Sequence, residues 1–479
     1  MLNGLEAVEL KLSEILENEN DSFRFDSEYF KKEILIAYKN LKEKPFYLNR
    51  DISLIKSGTT PKERDEELKE GVVLLKTNDI RNNILLDEKE NFFYIDDSTD
   101  EKMKSSRLKK GDVLINIVGA TTDVIGRVSL ILENFPKANI TQAMAFCRIR
   151  QNTLREEYLF IFLQTYYGQI QIKRLARPTG QYNLNLEEIA KILIPRLDIN
   201  FQTNIETLVK SSYQKLEDSK AFYKEAEELL LKKLDLLNFK PSEENIAIKS
   251  FKDSFLFTGR LDSEYYQPKY DKLITHIKKT KFDKLDNIVN IKKSIEPGSE
   301  AYQDEGIPFI RVSNITKSGI TGTEIHLSKD ILKEEDLKKL YPTKDTILLS
   351  KDGTVGIAYK IKNEIEMITS GALLHLMIKR DDVLPEYLTL VLNSLIVQLQ
   401  ADRDAGGSII KHWKPSEIQE VLIPIIDISI QIEIEEKIKK SFELKEESKK
   451  LLDLAKQVVE VAIEKNEDEA IKIIDEASI

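Results

Sequence analysis

The chain has 479 residues, 72 Lys and Arg against 82 Asp and Glu, and a formal net charge of −10. A length of this kind suggests about three structural units, and 17 Tyr with 19 Phe argue against a disordered chain. The single cysteine, Cys147, excludes an intramolecular disulfide and a cysteine-rich zinc site, and it suits a reducing compartment. No apolar run has membrane-spanning length and no secretory signal is evident, so we expect a cytoplasmic protein.

Five segments of the first half return in the second half in the same order. The offset between matched segments falls only from 236 to 229 residues along the chain, which chance does not explain. We therefore predict two homologous halves, about 1–240 and 241–479, formed by duplication of a domain rather than by a short repeat. The matched segments are 24–30 with 260–266, 71–80 with 306–315, 110–119 with 343–353, 157–159 with 386–388, and 192–195 with 421–424.

Each half has the same predicted elements in the same order. Short β-rich runs separated by Gly, Pro, Asn and Asp come first. An amphipathic helix follows, at 156–175 and again at 385–399, and each half ends in a long polar helix without internal Pro or Gly, at about 201–237 and 430–465. The predicted strands are 72–76, 113–118, 127–132 and 143–149 in the first half, and 309–312, 346–350, 357–361 and 373–378 in the second.

The two long helices carry a seven-residue repeat, which is typical of a coiled coil. Small residues at one position of this repeat would let two helix backbones approach closely. We predict that the helices pair with each other in an antiparallel arrangement; the alternative is two separate amphipathic helices, each packed on its own domain. The predicted helix seam consists of Val209, Ser212, Leu216, Ser219, Tyr223, Ala226, Leu230, Ile438, Ser441, Ser448, Leu452, Ala455 and Val459.

The sequence gives no positive reason to expect catalysis. It lacks the Asn/Asp-Pro-Pro-Tyr/Phe motif of amino methylation, the Phe-x-Gly-x-Gly loop of methyl-donor binding and a Gly-x-x-x-x-Gly-Lys-Ser/Thr phosphate loop. The four histidines are scattered, and Cys147 lies in an apolar run that indicates a buried structural thiol. We predict a non-enzymatic chain with no metal site or cofactor of its own.

Polar loops with basic residues recur at equivalent places in both halves. Their side chains are the types that hold phosphates and read base edges, and Tyr or Trp could stack on bases. The alternative is ordinary turn chemistry, and a net charge of −10 opposes binding to DNA unless charge is segregated or a partner supplies basic surface. The candidate contact residues are Lys56, Ser57, Thr59, Thr60, Lys62, Lys76, Thr77, Asn78, Arg174, Arg177, Thr179, Gln181 and Tyr182 in the first half, and Lys293, Ser294, Ser299, Arg311, Ser313, Asn314, Lys351, Arg403, Ser408, Lys411, His412 and Trp413 in the second.

An ordered set of motifs resembles the specificity (S, or HsdS) subunits of type I restriction–modification systems. The resemblance covers nearly the whole chain and includes its duplicated order. It departs from the family pattern after the Ile-Pro steps, where Arg196 and Ile425 replace the usual proline, and Gly58 has no clean partner in the second half. The motifs are residues 57–61, 139–143, 183–189, 193–195, 306–315, 350–356 and 422–424, with Gln202 and Gln431 at the entries to the long helices.

The resemblance implies a mixed α/β fold. Two homologous target recognition domains, β-rich with helices, would be separated by two long helices in an antiparallel coiled coil with an internal pseudo-twofold. The implied segments are recognition domain 1 at 1–198, spacer helix 1 at 199–240, recognition domain 2 at 241–427 and spacer helix 2 at 428–479.

The resemblance also implies a function. Each recognition domain would read one half of a bipartite, asymmetric double-stranded DNA target, and two methyltransferase subunits and restriction subunits would dock on the chain. S-adenosylmethionine, ATP and Mg would belong to those partners. Three alternatives stay open: the specificity subunit of a related system with a fused nuclease–methylase partner, a coiled-coil scaffold that binds no nucleic acid, and a cryptic nuclease or methylase.

Overall fold

The computed structural model describes residues 8–16, 24, 26–62, 68–86, 92–150, 154–178, 180–244, 246–407 and 410–477. The chain forms two compact units, Met1–Leu216 with Glu446–Ile479 and Glu217–Lys445. Both long helices contribute a part to each unit. Among the described residues, no helix is long and apolar enough to cross a membrane.

The strands of the first unit are β1 (Phe46–Leu48), β2 (Ser53–Ser57), β3 (Val72–Leu75), β4 (Asn83–Ile84), β5 (Phe93–Ile95), β6 (Val113–Asn116), β7 (Val118–Gly119), β8 (Val128–Leu130), β9 (Ala138–Ile140), β10 (Met144–Ile149), β11 (Arg177–Pro178), β12 (Tyr182–Asn183) and β13 (Leu193–Pro195). They form a five-stranded sheet in the order β2-β10-β6-β8-β4 and a three-stranded sheet in the order β5-β3-β9. The small sheets β11-β12-β7 and β1-β13 complete the unit. Its helices are α1 (Leu12–Leu16), α2 (Lys32–Lys42), α3 (Asn49–Ile52), α4 (Asp97–Lys102), α5 (Glu156–Phe162), α6 (Tyr166–Leu175) and α7 (Leu186–Ala190), followed by the first long helix, α8 (Ile199–Lys233).

The second unit repeats this plan. Its main sheets have the orders β15-β24-β21-β22 and β16-β20-β17-β23, with the pairs β14-β25 and β18-β19. The helices are α9 (Phe255–Thr258), α10 (Pro268–Ile277), α11 (Leu285–Ile288), α12 (Glu334–Leu340), α13 (Pro385–Asn393), α14 (Leu395–Asp404) and α15 (Pro415–Gln419), followed by the second long helix, α16 (Ile428–Glu464). The last helix, α17 (Glu467–Ala477), belongs to the first unit. The strands are β14 (Phe282–Lys284), β15 (Val289–Lys293), β16 (Tyr302–Gln303), β17 (Ile307–Ile310), β18 (Ile315–Thr316), β19 (Gly319–Ile320), β20 (His326–Leu327), β21 (Ile347–Ser350), β22 (Ala358–Lys360), β23 (Ile368–Thr369), β24 (Leu373–Ile378) and β25 (Leu422–Pro424).

The single amphipathic helix predicted in each half is wrong, because each is two helices. In the first unit the hydroxyl of Thr165 donates to the Phe162 carbonyl at 2.6 Å and accepts from the Gly168 amide at 3.2 Å, which ends α5 and begins α6. Ser394 breaks the second unit's helix in the same way, accepting from the Ile396 amide at 3.3 Å. A hydroxyl that caps a new helix competes with the backbone bonds of a continuous one.

Buried glutamine and tyrosine side chains show that the duplication extends to individual hydrogen bonds. Gln171 bonds both the amide (2.8 Å) and the carbonyl (3.0 Å) of Leu193, and Gln400 bonds Leu422 in the same way. The Tyr158 hydroxyl donates to the Pro195 carbonyl at 3.0 Å. Since buried polar groups are costly when unpaired, these bonds fix the same β-strand and helix positions in each unit. The corresponding tyrosine bond of the second unit joins Tyr387 to Pro424 at 2.7 Å.

The two long helices pair through the predicted small residues. In the first unit the hydroxyl of Ser212 lies 2.8 Å from that of Ser448 and 3.0 Å from its carbonyl, and Lys215 forms an ion pair with Glu447. In the second unit the hydroxyls of Ser219 and Ser441 are 3.1 Å apart. Residue numbers rise along one helix as they fall along the other, so the segments are antiparallel. The predicted mixed α/β fold with two paired long helices is confirmed.

Most of the predicted helix seam is buried. Leu216, Tyr223 and Leu452 are half-buried, and the other ten residues are buried. Beyond α16 the chain does not continue as one helix to its end. The side chain of Asn466 accepts from the Glu469 amide at 2.9 Å and begins the separate helix α17. The four segment boundaries given above stay a prediction.

Two equivalent glutamates at the start of α5 and α13 differ in their surroundings. Glu386 has a cation partner, since one of its carboxylate oxygens lies 2.9 Å from the ammonium of Lys360, although burial still raises its pKa above the usual value. Glu157 is 4% exposed, and burial raises its pKa to about 7. The Glu157 carboxyl therefore keeps its proton in the folded chain at pH values where the unfolded chain has lost it.

We expect this proton to make folding pH-dependent. The folded pKa of Glu157 lies above the unfolded value of 4.5, so the unfolded state binds fewer protons and stability falls as pH rises from about 4.5 through 7. Glu157→Gln removes that cost and should stabilise the first unit at pH 8 by up to about 3 kcal/mol, with little effect at pH 4.5. Thermal unfolding at both pH values measures this, with the exposed Glu187→Gln as the control. An equal shift at the two pH values would contradict it.

Candidate nucleic-acid interface

In the first unit, the predicted contact loops lie where strands end. Ser57 at the end of β2 pairs with Ala145 of β10, and Asn116 at the end of β6 pairs with Met144 of the same strand. Leu75, at the end of β3, pairs with the last residue of β9. The carboxyl ends of β2, β3, β6 and β9 therefore meet at one side of the unit, which we call the first reading edge.

The loop that follows β2 is held tightly against this edge. The amide of Gly58 donates to the Met144 carbonyl and that of Thr59 to the Ile140 carbonyl, both at 3.1 Å. A Cβ atom at position 58 would lie 1.9 Å from the Ile140 carbonyl oxygen, so only glycine fits. Thr60 accepts from the amide of Gln142 at 3.3 Å. Residues 57–60 are thus fixed in position before any ligand binds.

Asn116 attaches the second contact loop to the same edge. Its side-chain amide donates to the Thr77 carbonyl at 2.9 Å and to the Val124 carbonyl at 3.3 Å. The ammonium of Lys76 lies over the ring of Phe93, 2.7 Å from its centroid. Sequence reasoning missed Asn116 as a functional residue, although it lies in the repeated segment 110–119 that signals a common role.

The third contact loop reaches the first reading edge through backbone pairing. Tyr182 and Asn183 of β12 pair with Gly119 and Val118 of β7, directly after β6. Arg177 is held by Glu188 at 2.8 Å.

Arg174 does not belong to the first reading edge. Its guanidinium packs over the rings of Tyr29 and Tyr38, and its Nε donates to the Tyr29 carbonyl at 3.1 Å. Arg174 is 8% exposed, so its selection as a contact residue is wrong for this conformation.

The second unit has an equivalent edge, which we call the second reading edge. Lys293 at the end of β15 and Ser350 at the end of β21 pair with Leu374 and Leu373, the first residues of β24. The amide of Ser370 donates to the carbonyl of Ile310, the last residue of β17, at 2.8 Å, just as that of Thr141 donates to Leu75 in the first unit. The predicted loops after β15, β17 and β21 therefore come together as their counterparts do.

Residues 411–413, which follow α14 in the chain, complete the second reading edge. The amide of Trp413 donates to the Lys351 carbonyl at 2.8 Å, and that of Gly353 donates to the Lys411 carbonyl at 2.9 Å. The Trp413 ring is 1% exposed and packs in the core of the unit. The prediction that Trp413 could stack on a base is wrong, because its ring is buried in the core and anchors residues 411–413 there.

Exposure separates the candidates into four groups. Arg174 and Trp413 are buried, and Thr179 and Ser408 lie outside the described residues. The half-buried candidates are Ser57, Thr60, Lys76, Thr77, Tyr182, Ser294, Asn314, Lys351 and Arg403. The exposed ones are Lys56, Thr59, Lys62, Asn78, Arg177, Gln181, Lys293, Ser299, Arg311, Ser313, Lys411 and His412.

Each reading edge has both paired and unpaired cations, with Arg177 of the first edge held by Glu188. Within the described part of the chain, Lys56, Lys62, Lys293 and Arg311 have no ion-pair partner. Arg403 lies over the ring of Tyr265, as Arg174 lies over that of Tyr29, and is held by Asp404 at 2.7 Å, so it does not belong to the second reading edge. Lys411 is held by Asp402 at 2.7 Å. Burial raises the pKa of Asp402, but hydrogen bonds from Lys411, Tyr270 and Lys269 outweigh it and lower the pKa to about 2. The second reading edge is therefore partly neutralised by its own carboxylates.

Other chemistry is sparse among the described residues. No three His, Cys, Asp or Glu side chains there come together as a metal site would require. Cys147 is fully buried beside the Asn49 amide at 3.4 Å, and burial raises the pKa of its thiol to about 12. A thiol in that state is not a nucleophile at neutral pH.

Comparison with known proteins agrees with the sequence motifs. No family model matches the chain. Over 148 residues it is 24% identical to the type I restriction enzyme EcoBI specificity subunit of Escherichia coli, which is 31% of this chain and 30% of that protein. The aligned part thus spans less than a third of the relative. The chain is similar to a specificity subunit of a type I restriction enzyme.

Two solved structures are similar over most of their length. The type I S subunit from M. genitalium is 16% identical, with a TM-score of 0.38 and coverage of 88% of this chain and 95% of that one. The HsdS subunit from Thermoanaerobacter tengcongensis is 14% identical, with a TM-score of 0.28 and coverage of 88% and 97%.

Proposed function

We propose that the chain is the DNA sequence-recognition subunit of a type I restriction–modification complex and is not itself catalytic. It reads a bipartite, asymmetric target and positions methyltransferase and restriction subunits. The observation that carries this proposal is the gathering of recurrent polar loops at one equivalent edge in each unit. Two equivalent edges, one in each unit, suit two separate contacts with one ligand.

The side chains at both edges suit contact with duplex DNA. Exposed Lys and Arg can neutralise phosphates, and Thr, Asn, Gln and Ser can bond base edges in the grooves. The loops are held by backbone bonds, such as that from Thr59 to Ile140 at 3.1 Å, so little ordering entropy is lost on binding. Each good bidentate base contact would supply about 1–3 kcal/mol of discrimination.

Different side chains at equivalent positions support two unlike half-sites. The amide of Leu184 donates to the Ile117 carbonyl at 2.9 Å, as that of Trp413 does to Lys351 at 2.8 Å, which aligns the two segments. Tyr182 then corresponds to Lys411. A phenol and an ammonium differ in their hydrogen bonding, so the two edges would select different bases.

Exposed apolar side chains support a role as a subunit rather than as a free protein. Between residues 246 and 261 the chain exposes several large hydrophobic residues, among them Ile248 at 95% and Phe257 at 86%. Such clusters mark interaction surfaces. A chain with a net charge of −10 has little basic surface for DNA, and partners bound at residues 246–261 would supply it. The same partners would bind S-adenosylmethionine, ATP and Mg.

Selection from a pool of randomised duplexes tests the proposal. The chain is co-purified with the methyltransferase encoded beside it, and bound duplexes are sequenced. We expect two short constant blocks with different sequences around a fixed gap. A stable complex that enriches no sequence would contradict DNA recognition and favour the scaffold alternative, while a fused nuclease–methylase partner in the neighbouring reading frame would indicate the related system.

A further inference from the structure

Residues 411–413 are held in register with the turn after β21. Asp352 and His412 pair as in an antiparallel ladder, and Gly406 pairs with His412 on its other side. The bonds from Trp413 to Lys351 and from Gly353 to Lys411 flank this pair. With Trp413 buried at the base, His412 occupies a fixed place on the second reading edge, and its side chain is 63% exposed.

Asp352 lies between two candidate contact residues. Its Oδ1 is 2.8 Å from Nδ1 of His412, and its carboxylate also pairs with the ammonium of Lys351. The Asp352 side chain is only 23% exposed. It is therefore placed to orient its two neighbours rather than to reach the ligand first.

The pairing with Asp352 fixes the chemistry that His412 presents. An ionised carboxylate can only accept hydrogen bonds, so Nδ1 of the imidazole must carry the proton that it donates. The other nitrogen, Nε2, is then an acceptor in the neutral ring. In the major groove, the groups that need an acceptor are the exocyclic amines of adenine and cytosine.

The first unit has no such pair at the same place. The equivalent backbone pair is Val118 with Asn183, where valine replaces the carboxylate and an amide replaces the imidazole. The carboxylate and the histidine therefore occur together only on the second reading edge. Like charges also repel, so a carboxylate here weakens contact with phosphates in any sequence, which favours specificity over general affinity.

We propose that His412 reads the exocyclic amine of one adenine or cytosine in the second half-site, and that Asp352 is the positioning residue that holds Nε2 of His412 as an acceptor. The inference rests on the proposed function and names the base chemistry of that same site. Asp352→Asn keeps the size of the side chain but replaces a carboxylate, which only accepts hydrogen bonds, with an amide that also donates. Nδ1 of His412 is then no longer required to carry the proton, so this variant tests the tautomer of His412 separately from the packing of the side chain.

The experiment uses the complex of the full chain with its methyltransferase partner, selected on randomised duplexes, with affinity for an unrelated duplex measured in parallel. His412→Ala and Asp352→Asn should each reduce base preference about tenfold, which is about 1.4 kcal/mol, at the same single position of one half-site. Asp352→Asn should also raise affinity for the unrelated duplex, whereas a merely structural role would lower both. Asp381→Asn makes the same charge change beyond Ile378, at the opposite end of β24, and should change neither.

The outcomes separate the two proposals. If the two variants affect different positions, affect both half-sites, or leave base preference unchanged while the unaltered complex selects a bipartite sequence, the inference about Asp352 is overturned and the proposed function stands. If the unaltered complex selects no sequence, the proposed function fails and this inference fails with it.

Discussion

Arg311→Ala should weaken recognition of one half-site and leave the other intact. Arg311 is exposed on the second reading edge directly after β17, and among the described residues it has no ion-pair partner. Loss of a base contact costs about 1–3 kcal/mol, so affinity for the target should fall roughly 10- to 100-fold. The loss should be visible as relaxed base preference in the second block alone.

Lys56→Ala is the reciprocal test in the first unit. Lys56 is exposed in β2, at the first reading edge, and also has no ion-pair partner within the described chain. The reciprocal result is expected, with only the first block relaxed. Sequencing of bound duplexes from both variants gives the comparison in one experiment. If either substitution altered both blocks equally, the two units would not read separate half-sites.

Ser448→Leu should separate the paired helices in the first unit. Ser448 is 1% exposed and its hydroxyl is 2.8 Å from that of Ser212, which is fully buried. A leucine has no space there without moving a helix, and overpacking of this kind typically costs about 1–3 kcal/mol, to which the lost hydrogen bond adds about 1 kcal/mol. The Tm of the chain should fall by several degrees, and assembly with the methyltransferase should weaken.

Two controls make the helix prediction specific. Ser448→Ala loses the hydrogen bond but keeps a small side chain, and should cost far less than leucine. Lys449→Leu adds the same bulk at an exposed position of the same helix and should leave the Tm nearly unchanged. Equal stability and equal assembly for Ser448→Leu and the unaltered chain would show that close approach of the two helices is not required.

Patterns with a strong period were predicted correctly. The seven-residue repeat and its serines predicted that the two long helices pair, because the buried side of a helix pair repeats in the sequence; the structure supplies the individual partners, Ser212–Ser448 and Ser219–Ser441. Buried strands were also predicted, since runs such as 113–115 are apolar throughout. The helix breaks at Thr165 and Ser394 were missed, because a single hydroxyl decides them and periodicity continues across the break.

The residues misjudged at the reading edges are those whose environment is set by distant parts of the chain. Trp413 stands in a polar stretch beside Lys411 and His412, and only the tertiary fold turns its ring into the core. Arg174 looks like an exposed helical arginine, yet Tyr29 and Tyr38, more than a hundred residues away in sequence, enclose it. Asp352 was overlooked because its role depends on a partner sixty residues further along the chain.

Methylation-aware sequencing of host DNA tests the central claim most directly. The chain is expressed with the methyltransferase encoded beside it, and with that methyltransferase alone as the control. We predict a newly methylated motif of two unlike blocks separated by a fixed gap, present only when this chain is expressed. A stable complex without any new methylated motif, or a motif that persists when the chain is omitted, would contradict its role as the recognition subunit.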